Sequence, residues 1–376
     1  KFDVLHYHRI KEPALLEHID RAGIVFYENI KDQGVAAGGG TSEWREEQLG
    51  SVLEIKYGKG HKTLEVGNIP CIGSGGIMRY VGKSIYDNVS ILIPRKGSLN
   101  NVMYQNSPFW TVDTMFWSII NEEKVNPKFL FYQMTLIDYT NLNVGSAVPS
   151  LTIPVINEID ISLPEKEEQR AIASVLSSLD DKIDLLHRQN QTLEQLAETL
   201  FRQWFMEEAG ADWEVVKLGE ITKIGSGKGL KKEKFIVNGE YPILGANGEI
   251  GRTNEYLFND RLIFTGRVGT LGNVFRIENK KVWLSDNTLV ILPKKYFNFI
   301  YFALKDAKLD QYNVGSTQPL VRQSDVIEIE LTLAKDDIHN YFEENSNFLF
   351  EKINKNQTQI RTLTALRDTL LPKLMR

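Results

Sequence analysis

Leu262–Val274 (LIFTGRVGTLGNV) restates Ser90–Val102 (SILIPRKGSLNNV). Arg95, Gly97, Leu99, Asn101 and Val102 return as Arg267, Gly269, Leu271, Asn273 and Val274. Working outward, Gly73 and Gly76 match Gly245 and Gly248, and Gly58-Lys59-Gly60 matches Gly227-Lys228-Gly229. Trp44, Leu49 and Gly50 return as Trp213, Leu218 and Gly219. Toward the other end Trp110 and Asp113 pair with Trp283 and Asp286. Asn143-Val144-Gly145-Ser146 pairs with Asn313-Val314-Gly315-Ser316, each run followed by a proline, Pro149 or Pro319. The order never breaks, so the chain of 376 residues is written twice. A repeat of roughly 170 residues is far too long for a solenoid unit, so each copy is a domain plus something more.

The first part of each copy holds short β-branched and aromatic runs between glycine-rich turns, such as Ser90–Pro94, Arg261–Phe264 and Val282–Leu284. These predict short strands, with helices over Pro127–Tyr139 and Phe297–Lys308. The second part is helical. Ile172, Leu176, Leu179, Ile183, Leu186, Leu193, Ala197 and Leu200 alternate spacings of four and three, with Asn190 filling the gap in a heptad seam. Pro164 suits a first helical position, and Glu165, Glu167 and Glu168 complement the positive helix end. After Lys335 the seam returns as Phe342, Leu349, Ile353, Ile360, Leu363, Leu366 and Leu370, with Ser346, Asn356 and Arg367 at matching positions. The expected fold is therefore α+β or α/β: two similar strand-rich domains and two long helices forming an antiparallel, pseudo-twofold coiled coil. The divisions fall at 1–43 (extension and linker), 44–163 (first domain), 164–208 (central helix), 209–333 (second domain) and 334–376 (C-terminal helix). In the extension, Glu12–Ala22 has the pattern of a short amphipathic helix and Gly34–Ser42 that of a flexible linker.

The hydrophobic share of 42% and charged share of 25% are those of a soluble globular protein. A single cysteine, Cys71, excludes a disulfide framework and fits a reducing, cytoplasmic compartment. No apolar run is long enough to span a membrane, and the first ten residues lack a secretory apolar stretch. The net charge of −5 argues against coating nucleic acid by bulk charge. Its distribution changes that reading. Residues 213–305 carry 15 Lys and Arg against 9 Asp and Glu, residues 44–135 carry 10 against 8, and the helix 165–208 carries 5 against 10. The acidity sits in the helix and the cations in the globular parts. Lys223, Lys228, Lys231, Lys232 and Lys234 surround a glycine-rich turn, where backbone and cation can approach phosphate together; Lys56, Lys59 and Lys62 are the first-copy set.

Catalytic motifs fail. Gly82-Lys83-Ser84 resembles the end of a phosphate-binding loop, but the required earlier glycine is Ile77. Asn106-Ser107-Pro108-Phe109 lacks the first proline of the amino-methyltransferase loop, and no glycine-rich cofactor turn accompanies it. His6, His8 and His18 have no acidic or cysteine partner at ligand spacing. No catalytic or metal residue is assigned.

Several segments together carry a family resemblance: Trp213–Gly219 (WEVVKLG), Tyr241–Gly251 (YPILGANGEIG), Leu262–Val274, Ser285–Leu289 (SDNTL), Val314–Val321 (VGSTQPLV), and Ile159–Gln169 (IDISLPEKEEQ) flowing into a helix that ends Leu200–Phe205 (LFRQWF). In that order, twice, the chain resembles the specificity subunit of type I DNA restriction–modification enzymes. The resemblance implies a non-catalytic adaptor with two target recognition domains, each reading one half of a bipartite site in double-stranded DNA. It implies partners too: two modification subunits bringing S-adenosylmethionine for adenine methylation, and motor-nuclease subunits using ATP and magnesium. No cofactor is expected in this chain. Arg95 and Arg267, at equivalent glycine-flanked positions, are candidates for shared structural or phosphate contacts. The discriminating residues are expected where the copies differ, at Arg79, Tyr80 and Lys83 in the first and Asn247, Arg252, Asn254 and Tyr256 in the second. Two other readings stay open, the recognition portion of a fused DNA methyltransferase and a coiled-coil scaffold that binds only protein.

Overall fold

The computed structural model describes residues 44–145 and 148–375; the N-terminal extension and its three histidines lie outside them. Two compact units emerge, one running to Leu186 and resuming at Thr358, the other His187–Gln357. Their boundary crosses the middle of both long helices.

The first unit contains strands β1 (Arg45–Gln48), β2 (Leu53–Tyr57), β3 (Ile69–Gly73), β4 (Gly76–Val81), β5 (Ser90–Pro94), β6 (Met103–Gln105), β7 (Trp110–Thr111) and β8 (Met115–Ile120). Helices α1 (Pro127–Thr135) and α2 (Ile153–Asn157), strand β9 (Asp160–Leu163) and the start of α3 (Lys166–Arg202) follow. The second unit repeats the order as β10 (Glu214–Lys217), α4 (Leu218–Ile221), β11 (Thr222–Ser226), β12 (Tyr241–Gly245), β13 (Gly248–Thr253), β14 (Leu262–Gly266), β15 (Val274–Ile277), β16 (Trp283–Leu284), β17 (Thr288–Pro293), α5 (Phe297–Asp306), α6 (Gln323–Ile327), β18 (Glu330–Leu333) and α7 (Asp336–Leu374).

The sheets correspond strand for strand. An antiparallel four-stranded sheet runs β2-β8-β5-β6 in one unit and β11-β17-β14-β15 in the other. A three-stranded sheet runs β4-β3-β7 or β13-β12-β16, its last pairing parallel. The pairs β1-β9 and β10-β18 close each globular part. Helices gather on one face of an antiparallel sheet, so the class is α+β. The central strands β5 and β14 are buried throughout, which is why they read as unbroken apolar runs. Alternation still sorts their faces: Ile91 and Ile93 join the helix-side core, and Leu92 joins the core under β3 and β7. Ile263 against Leu262 and Phe264 repeats the division.

Helix boundaries differ from the periodicity. The long helix starts at Lys166, not Pro164, because the Pro164 carbonyl accepts from the Gln169 side chain (2.9 Å) while Gln169 Oε1 takes Asn126 N–H (2.7 Å). Helix α1 stops at Thr135 because Asp138 accepts from Thr140 N–H and opens a separate 3₁₀ turn over Tyr139–Leu142. Helix α5 stops at Asp306, and Lys308 takes the left-handed region (φ 45°). Helix α3 closes in a π-turn, Gln203–Glu207, that buries Phe205.

The long helices pair within each unit. In the first, Leu179, Ile183 and Leu186 pack with Ile360, Leu363, Leu366 and Leu370, while Ile172 and Leu176 join the domain core. In the second, Leu193 and Leu200 pack with Phe342, Leu349 and Ile353, and Asn356 Nδ2 donates to Asn190 Oδ1 (2.9 Å). Rising numbers on α3 meet falling numbers on α7 in both units, so the pairing is antiparallel. Among the described residues no helix is long and apolar enough to cross a membrane.

Candidate nucleic-acid interface

The repeated motifs, scattered in sequence, meet at one end of each four-stranded sheet. Lys59 is fixed through its backbone: its N–H donates to Thr111 O (2.9 Å) and its carbonyl accepts the Trp110 indole N–H (3.1 Å). Lys228 repeats both bonds, to Leu284 O (2.8 Å) and from Trp283 (2.7 Å). The preceding glycine is obligatory, since a Cβ at Gly58 would lie 2.0 Å from Val112 O and one at Gly227 2.1 Å from Ser285 O. Backbone contact therefore selects Gly-Lys and leaves both lysine side chains exposed.

The arginine loop joins this site. Arg95 N–H donates to Thr114 O (2.8 Å), its carbonyl accepts from Leu151 N–H (2.9 Å), and its guanidinium donates to Asp113 O (3.2 Å) and lies 5.3 Å from the Tyr57 ring centre. Arg267 N–H donates to Asn287 O (2.8 Å), its carbonyl accepts from Val321 N–H (2.9 Å), and its guanidinium donates to Ser226 Oγ (3.4 Å). Gly97 N–H and Gly269 N–H reach Pro149 O and Pro319 O, tying in the Asn-Val-Gly-Ser loops. The tip of the β3–β4 hairpin is held by Asn101 Nδ2 donating to Ser74 O (2.7 Å), and the β12–β13 tip by Asn273 Nδ2 donating to Asn247 Oδ1 (2.9 Å). Both tips turn through a glycine at positive φ, Gly76 (111°) and Gly248 (110°).

The structure sorts the remaining candidates. Lys62, Lys83, Lys223, Lys231 and Lys232 are exposed, as are Tyr80 and Asn247. Lys56 pairs with Glu54 and Lys234 with Glu255. Three of the residues expected to discriminate bases are engaged internally. Arg79 donates to Leu64 O (2.6 Å) and faces Cys71, whose thiol burial pushes up and Arg79 pulls down. Arg252 donates to Gly239 O (2.7 Å), Glu240 O (2.9 Å) and Glu249 Oε1 (3.1 Å). Asn254 Oδ1 accepts from Glu240 N–H (3.0 Å). Tyr256 meets Tyr241 edge-on (5.3 Å) beneath Lys281 Nζ (4.6 Å). Lys281 escaped the sequence reading, although it stands two residues before the repeated Trp283. Among the described residues no group of three His, Cys, Asp or Glu side chains could hold a metal ion.

A family model described as the type I restriction modification DNA specificity domain matches residues 41–195 and again 210–361. The chain is similar to the type I restriction enzyme MjaIX specificity subunit of Methanocaldococcus jannaschii, 28% identical over 339 residues, covering 77% of this chain and 78% of that one. It is similar also to the HindI specificity subunit of Haemophilus influenzae, 33% identical over 105 residues, 26% of this chain and 23% of the other. The crystal structure of a type I restriction–modification S subunit from M. genitalium shares the fold, with a TM-score of 0.63 at 20% identity over 90% of this chain and 98% of that one. Matched once in each half of the repeat, the chain belongs to the type I restriction–modification DNA specificity family.

Proposed function

We propose that this chain is the non-catalytic reader of a type I complex, in which residues 44–163 and 209–333 each recognise one half of a bipartite double-stranded target. The observation that carries the reading is the duplicated loop cluster. The same backbone contacts hold Lys59 and Lys228, and the same asparagines hold two hairpin tips whose side chains differ. Shared cations suit the shared ligand, the phosphate backbone, and differing tips suit two different half-sites. Lys62, Lys83, Lys223, Lys231 and Lys232 extend the cationic surface, while Arg95 and Arg267 brace the loops from within. The helical segments joining the two readers set the half-site spacing, as dimer geometry does for other bipartite readers. Two modification subunits supply S-adenosylmethionine chemistry, and motor-nuclease subunits supply ATP- and magnesium-dependent cleavage.

The test is to map methylated adenines genome-wide with and without the gene. One split motif should appear and vanish with it, and the purified chain with S-adenosylmethionine should leave DNA unmodified. Methyl transfer by the isolated chain would refute the adaptor reading.

A further inference from the structure

A β-bulge interrupts the β3–β4 hairpin between Cys71 and Ile72, and another interrupts β12–β13 between Ile243 and Leu244. Ile77 pairs with Ile72 and Arg79 with Cys71, which leaves Met78 as the extra residue; in the second unit Glu249 pairs with Leu244 and Gly251 with Ile243, leaving Ile250. A bulge re-aims the side chain it carries. Both bulged residues are apolar and more than half exposed, Met78 at 58% and Ile250 at 54%. Each lies over a glycine. A Cβ at Gly73 would stand 2.6 Å from Met78 Sδ, and one at Gly245 3.0 Å from Ile250 Cγ2. The arrangement is built twice from different residues, so it is a designed presentation rather than a stray surface hydrophobe.

The neighbour of the bulge is where the copies part. Ile77 is 57% exposed, and its counterpart is the exposed Glu249. Both stand next to hairpin tips that Asn101 and Asn273 fasten to the lysine-bearing loop clusters. Arg252 offsets the charge of Glu249 (3.1 Å), and the carboxylate, still 47% exposed, keeps an acceptor free for a base; the major groove offers matching donors in the cytosine and adenine amino groups. An exposed isoleucine can read only an apolar feature, the thymine methyl.

Resting on the DNA-reading function proposed above, the geometry points to the bulged hairpins as base-reading elements. Ile77 with Met78 selects a thymine methyl in one half-site, and Glu249 beside Ile250 selects a cytosine amino group in the other. Arg252, anchored to the Gly239 and Glu240 carbonyls, donates its remaining bond to Glu249 and orients it.

The experiment uses the full chain assembled with its cognate modification subunits. The wild-type methylated motif is mapped first, then those of Ile77→Ser and Glu249→Gln. Each variant should relax a single base pair, a T·A pair in one half for Ile77→Ser and a C·G pair in the other for Glu249→Gln, by on the order of tenfold. Duplexes carrying deoxyuridine for that thymine should bind wild type more weakly by a similar factor and Ile77→Ser no more weakly than normal duplex. Lys59→Glu with Lys228→Glu serves as the control. If it abolishes binding while both hairpin variants keep the full motif, the hairpin proposal falls and the reader function stands. If neither the lysine nor the hairpin variants alter binding, the reader function falls with it.

Discussion

Where α1 crosses the long helices the first unit is polar. The Tyr132 hydroxyl donates to Asp180 Oδ2 (2.6 Å), and Arg367 donates to Asp180 Oδ1 (2.9 Å). Burial, then Asp180 itself, pushes the Tyr132 hydroxyl far up and keeps it a donor. The long helices start 170 residues apart, and at that offset the second unit has Phe302, Phe350 and Ala197, all buried, with the two rings 6.0 Å apart. The edge strand compensates in the opposite sense. Arg276 lays its guanidinium 3.4 Å from the Phe350 ring centre and pairs with Glu278, whereas Tyr104, its counterpart, lies under Lys128 Nζ (4.1 Å). The loop clusters match because the backbone approaches too closely at Gly58 and Gly227 to admit any other residue. The helix crossing is held by side chains alone, and there a satisfied polar set and a filled aromatic set serve equally.

The largest effect should come from Phe350→Ala, which strips both Phe302 and Arg276 of a partner. We expect a loss of about 3–5 kcal/mol, read as a lower denaturant midpoint with hydrogen exchange rising in residues 187–357. Asp180→Ala, at a partly exposed site (23%), should cost only about 1–2 kcal/mol in the first unit. Equal losses would break the contrast.

The next contrast is between Gln169 and His339, equivalent residues that are both fully buried. Gln169 bonds Pro164 and Asn126, but neither ring nitrogen of His339 has a hydrogen-bond partner among the described residues. The ring is stacked on Tyr296 (3.9 Å) and Phe205 (4.9 Å), and burial, then the Lys295 charge, lowers its pKa from 6.5 to about 4. A depressed folded-state pKa means the contribution is whole above pH 6.5 and is lost as pH falls toward 4, up to about 3 kcal/mol. Urea unfolding across that window should show acid sensitivity in the second unit, and His339→Gln should abolish it by copying the first. Persistence of the sensitivity in the variant would assign it to other groups.

The smallest effect concerns the Asn190–Asn356 bond. Replacing both with Leu should raise the melting free energy by about 1 kcal/mol while loosening helix register. Thermal unfolding reads the first, and disulfide trapping between cysteines introduced at neighbouring seam positions reads the second.

The duplication, the strand-rich domains and the heptad seam were legible because each leaves a period in the chain. Asn190 stood out as the break in its seam, and Asn356 and Arg367 at matching positions, but their partners did not. Which residue of α3 faces which of α7 depends on register, and one sequence carries no trace of it. The arginines' internal contacts were illegible for a related reason. Arg79 and Arg252 donate mostly to backbone carbonyls, acceptors that every residue owns and no motif announces. The bulges were hidden as well, because an extra residue in one strand is visible only against its partner strand.

That the boundary between compact units cuts through both long helices has a consequence for biosynthesis. The first unit includes residues 358–375, more than 150 positions beyond the end of α3. On the ribosome its domain emerges early, yet the helix face formed by Ile183 and Leu186 must wait uncovered until Ile360 and Leu363 have been made. The second unit, His187–Gln357, can complete its helix pair first. Synthesis order and assembly order are thus reversed, and a premature stop near residue 358 would damage the reader encoded at the other end of the message.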